Sequence, residues 1–120
     1  MDNPIEAKDR AELSSIEQQG FRNADEQYRC RITVLSKEFR EELYRQHPYG
    51  AATPCGRLEV GQVFTTNSRW DPPEGFCTWA WADLRAVIQA IHGGHAHAHV
   101  SCCTDGLRPV LFEVERIEEP

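Results

Sequence analysis

Five cysteines (Cys30, Cys55, Cys77, Cys102 and Cys103) and a run of histidines (His92, His95, His97 and His99) are the residues of this chain best suited to chemistry. No two of the cysteines have CxxC spacing, so the zinc-ribbon and thioredoxin signatures are absent. What remains is a set of single thiols, and a thiol acts as nucleophile or ligand through its thiolate, which a nearby cation or a helix N-terminus favours. In SCCTDGLRPV, an Asp105-Gly106 hairpin turn would set Thr104 opposite Leu107 and Cys103 opposite Arg108, placing a thiol beside a guanidinium. Consecutive strand residues face opposite ways, so Cys102 and Cys103 are not expected to share a site, and their Cα spacing disfavours a disulfide between them.

Cys77 follows Glu74-Gly75-Phe76 where a helix is expected to begin, a position that favours a thiolate. Cys30 alternates with charged residues on an expected strand and reads as packing, whereas Cys55, between Pro54 and Gly56, has less reason to be core. His95, His97 and His99 at two-residue spacing would share one face of a strand and could hold a zinc, iron or copper ion, alone or with Cys77, Cys102 and Cys103; a solvated loop or the polar face of an edge strand explains them without a metal. Arg108, Asp105 and Asp83 are candidates for orienting an anionic or carbonyl substrate.

The elements that must position these residues follow from periodicity. YRCRITVL alternates as a half-buried strand, and Ser36 is expected to cap a helix running to about His47 with Phe39 and Leu43 on one face. GQVFTT reads as a short strand with Val63 inward. In CTWAWADLRAVIQAIHGG, Trp81, Leu84, Val87, Ile88 and Ile91 repeat at three and four residues, and Gly93-Gly94 supply the stop. Trp79 lies about 200° from Trp81 on such a helix, so it covers the helix flank or lines a pocket or interface. HAHVSCCT and PVLFEVERI complete a β-α-β-α-β-β order, an α+β fold with a C-terminal hairpin packed against the tryptophan-bearing helix. Residues 28–120 form the expected single domain.

Residues 1–27 read as an acidic arm or helix. The first 28 residues hold seven acids and three bases, a net −4 of the total −6. That charge argues against nucleic-acid phosphates or an anionic lipid surface as partners. No apolar run is long enough for a membrane span, and the opening residues lack a secretory pattern, so a cytoplasmic location is the expectation. With 120 residues and 40% hydrophobic content the chain can bury a core without disulfides.

The words CRITVL, EGFCTWAWADL and CCTDGLRPVLFEVERI resemble a family of small uncharacterised prokaryotic proteins over about residues 28 to 118. In that family a cysteine-proline loop precedes a Gly-x-x-Phe strand, followed by a Gly-Phe-Cys-x-Trp-Ala-Trp helix start and a Cys-Cys-Thr-Asp-Gly-Leu-Arg-Pro-Val hairpin. The resemblance implies no known reaction, but draws attention to Cys77, Cys102, Cys103, Asp105 and Arg108. In this chain Cys55 follows its proline instead of preceding it.

The leading functional expectation is a cysteine-centred small-molecule site, in a thiol-dependent lyase, isomerase or transferase. Its catalytic candidates are Cys77, Cys103, Asp105 and Arg108. One alternative is a transition-metal-binding or sensing protein using the Cys and His ligands named above. Another is a non-enzymatic homo-oligomeric module, with the tryptophan helix as interface.

Overall fold

The structure is a computed structural model that describes residues 28–117. The expected acidic arm, residues 1–27, lies outside the described residues, as do residues 118–120. The element order is the expected α+β one: β1 (Arg29–Lys37), α1 (Glu41–Gln46), β2 (Val63–Thr65), α2 (Thr78–His92), β3 (Ala98–Cys102) and β4 (Val110–Ile117). The strands form a single antiparallel sheet in the order β2-β1-β4-β3.

Alternation in the two central strands decides which face is covered. Cys30, Ile32 and Val34 of β1 and Val110, Phe112 and Val114 of β4 are buried, with Ile32 opposite Val114 and Val34 opposite Phe112. Against this face lies α2, whose Ala80, Trp81, Leu84, Ile88 and Ile91 are buried at the spacing of one helical stripe. Each large apolar side chain so buried contributes about 1.5–3 kcal/mol. The C-terminal hairpin packs on the helix as expected, α2 touching β3 as well as β1 and β4.

Phe76 locks the start of α2 into this core. Its ring lies 4.9 Å from Phe64 and 5.6 Å from Phe112, centroid to centroid, with Trp81 at 6.4 Å. Gly75, at φ 83°, adopts the left-handed conformation that turns the chain into Phe76. The next residue, Cys77, is thereby fixed as the N-cap.

Three local expectations are corrected. Ser36 does not cap a helix: after a bulge at Val34/Ser36, Ser36 pairs with Leu111 and Lys37 with Val110. Beyond the strand, the Glu38 and Arg40 N–H groups still donate to Pro109 O and Leu107 O, both at 2.9 Å, so a helix begins only at Glu41. Phe39 therefore stacks on Tyr44 from outside the helix, while Leu43 is exposed. Val63 is also exposed; Phe64, opposite Ile32, points inward, one residue out of phase with the expectation.

The third correction concerns the hairpin. The Asp105 carboxylate accepts the N–H groups of Leu107 at 3.0 Å and Arg108 at 3.1 Å, which opens the turn into a wider loop. Cys103 consequently sits beside Val110, its N–H donating to Val110 O at 3.0 Å, and Arg108 is not its cross-strand partner.

His92 ends α2 inside the core. A 2.7 Å hydrogen bond joins its Nε2 to Thr66 Oγ1, which in turn accepts the Cys30 N–H at 3.0 Å. Burial, with lesser repulsion from Arg69 and Arg29, lowers the His92 pKa to about 4, so the ring is neutral at pH 7.

Candidate functional site

Three of the five cysteines reach one cleft from three separate segments. Cys55 comes from the loop before β2, Cys77 from the N-cap of α2, and Cys103 from the first residue after β3; Arg57, Trp79, Thr104, Asp105 and Arg108 complete a lining around about 90 Å³. All five cysteines of the chain are free thiols. Two of the cleft sulfurs are held by backbone donors: Cys103 Sγ accepts the Val110 N–H at 3.3 Å and Cys55 Sγ accepts the Arg57 N–H at 3.4 Å.

Of the expected catalytic residues, Cys77, Cys103, Asp105 and Arg108 all line the cleft. Cys102 does not. It pairs with Leu111 on the sheet face away from α2 and is exposed, as strand alternation requires of a neighbour of Cys103. The third thiol is Cys55, which sequence reasoning left aside. The one local signal was its setting between Pro54 and Gly56; in the fold it is partly buried against the edge of the core. Cys30 is fully buried beneath α2, and burial pushes its thiol up to about 11, against a smaller opposing effect of Thr66.

Arg108 frames the cleft. Its Nε donates to Asp105 Oδ2 at 3.3 Å, while Nη1 reaches Ala51 O at 2.7 Å and Nη2 reaches Tyr49 O at 2.9 Å. The guanidinium thus ties the hairpin loop to the segment after α1, and the Tyr44 hydroxyl donates to Gly50 O at 2.9 Å in the same clasp. The Asp105 carboxyl, raised by partial burial, is lowered overall by the Leu107 and Arg108 N–H groups and the Arg108 guanidinium. Asp105 therefore orients Arg108, and two of the arginine's five N–H donors are spent on carbonyls of the fold.

An open groove of about 360 Å³ adjoins the cleft, sharing Trp79, Thr104, Asp105 and Arg108 and adding Leu43, His47, Tyr49, Gly106 and Leu107. Trp79 is 68% exposed and stands at both openings, whereas Trp81 is buried in the core. The opposite directions of the two indoles on α2 thus give one to packing and the other to the site.

The expected metal ligands are not gathered into one site: Cys77 and Cys103 line the cleft, while Cys102, His95, His97 and His99 lie outside its lining. Among the described residues no group of three or more His, Cys, Asp or Glu side chains is placed to hold a metal ion. Only His99 of the three spaced histidines lies in a strand, where its Nδ1 bonds Ser101 Oγ at 2.7 Å; His95 and His97 precede β3, and all three are exposed. Without a common strand the shared face does not form. Among the described residues, no helix is long and apolar enough to cross a membrane.

Compared with protein-family models, with curated proteins and with solved structures, the chain finds no match.

Proposed function

We propose that this chain carries a cysteine-centred small-molecule site and acts as a thiol-dependent lyase, isomerase or transferase. The convergence of Cys55, Cys77 and Cys103 on one cleft carries the reading. All three are partly buried against the edge of the core, and each also lines the cleft, so their packing and their access to a ligand are shared by the same side chains. A cleft thiol adds to an electrophilic carbon: the S–C bond forms, the thiol proton passes to solvent, and the displaced electron pair leaves with a departing group or moves onto the substrate. The exposed Trp79 and Tyr49 beside the cleft offer flat apolar surface for the rest of the molecule.

Five free thiols suit a reducing, cytoplasmic setting. The two longest words of the family resemblance contribute Cys77, Trp79, Cys103, Asp105 and Arg108 to this one cleft, which supports extending that resemblance to the site. Alkylation of the native protein at pH 7, with each cysteine followed by peptide mapping, tests the reading. Faster labelling at one or more of Cys55, Cys77 and Cys103 than at Cys30 is expected; slow reaction of all five thiols would overturn it.

A further inference from the structure

The cationic groups at the cleft are not equivalent. Arg108 is paired with Asp105 and donates to Tyr49 O and Ala51 O. Arg57 lines the same cleft beside Cys55, yet among the described residues its guanidinium makes no hydrogen bond or ion pair. Arg57 is exposed, and its guanidinium is thereby free to meet an anion at the mouth of the cleft that Cys55, Cys77 and Cys103 line. The start of α2 adds to that positive charge: Cys77 makes no side-chain cap bond, and the first turn contains no acidic residue to complement the helix dipole.

Resting on the thiol-site reading, we propose that the cleft selects small anionic electrophiles, Arg57 holding the anionic group while a cleft cysteine attacks the adjacent carbon. The cleft's own volume of about 90 Å³, well below a drug-sized pocket of roughly 300–1,000 Å³, fits a short acid group with its reacting carbon, any remainder of the molecule lying along the adjoining groove, so the substrate class is a small organic acid. A carboxylate suits the guanidinium because two parallel N–H groups can meet its two oxygens.

Iodoacetate and iodoacetamide separate charge from reactivity, because each transfers a two-carbon group to sulfur: the S–C bond forms, the C–I bond breaks, iodide leaves, and the thiol proton passes to solvent. The measurement is the ratio of the two alkylation rates at each cysteine of the full chain, with the exposed Cys102 as internal reference. At the reacting cleft cysteine the ratio of iodoacetate to iodoacetamide is expected to exceed that at Cys102 by about fivefold in low salt. Arg57→Gln should bring it down to the Cys102 value, and Arg57→Lys should retain part of it. In the unmutated chain, added sodium chloride should erode the preference, a check that needs no variant to fold. Equal ratios at the cleft and at Cys102, or a preference that survives both Arg57→Gln and salt, would overturn the proposal while leaving the thiol site standing. Failure of both reagents to label any cleft cysteine would overturn both.

Discussion

A Cβ atom added to Gly50 would lie 2.7 Å from Arg108 Nη2, closer than side chains pack, and Gly50 already holds a φ of 76°. The glycine and the arginine therefore define one another: the loop can wrap the guanidinium only where no side chain intervenes. Gly50→Ala is expected to cost about 1–2 kcal/mol, from left-handed strain and displacement of the guanidinium. Thermal unfolding read beside Cys103 alkylation checks this, since loosening the clasp should speed labelling. An unchanged midpoint and labelling rate would count against it.

Asp105 should matter more to stability than its place in a surface loop suggests. Asp105→Ala leaves the Leu107 and Arg108 N–H groups and the arginine without their acceptor, at a cost of about 1–3 kcal/mol. Because the folded carboxyl titrates below its ordinary value of 3.8, its stabilisation is present above that pH and lost as pH falls further. Urea denaturation of both proteins at pH 7 and at pH 3 should show the gap narrowing in acid.

How much of this was legible beforehand follows from which interactions were local. The Trp81, Leu84, Ile88 and Ile91 stripe and the Cys30, Ile32 and Val34 alternation report directly on burial, and both elements form where periodicity sets them. Ser36 misleads because its capping chemistry is overridden by β4, a partner more than seventy residues away. The hairpin misleads because Asp105 spends its carboxylate on the backbone and widens the turn. The thiol at Cys55 joins the site only through tertiary folding, so loop composition hinted at exposure and nothing local named its companions.

The buried histidine sets a different acid limit. The His92 pKa is lowered to about 4 from an ordinary 6.5, so the unfolded chain takes up its proton first and stability declines as pH falls between those values. The loss is on the order of 3 kcal/mol, complete near pH 4 and absent above about pH 7. A His92→Gln variant should show a flatter stability profile across this window in denaturant titrations. An equally steep profile in the variant would assign the acid sensitivity elsewhere.

Phe76→Ala removes a ring held by Phe64, Trp81 and Phe112 and should cost about 3–5 kcal/mol. Since the same ring fixes the N-cap of α2, peptide mapping should also find Cys77 labelled at a changed rate. A destabilised protein with Cys77 labelled as before would uncouple the core from the site.

The bulge in β1 has a reach beyond the sheet. Up to Val34 the even-numbered residues turn toward α2; one extra residue reverses the parity, and Lys37, opposite the buried Val110, turns that way instead. From there Lys37 Nζ donates to Leu58 O at 2.8 Å, three residues from Cys55 and one from Arg57. A single inserted residue in a central strand thus adds a side-chain tether to a loop that buried Leu58 and the Gly61 N–H bond to Val34 O already hold, the loop that brings a thiol and an unpaired cation to the cleft.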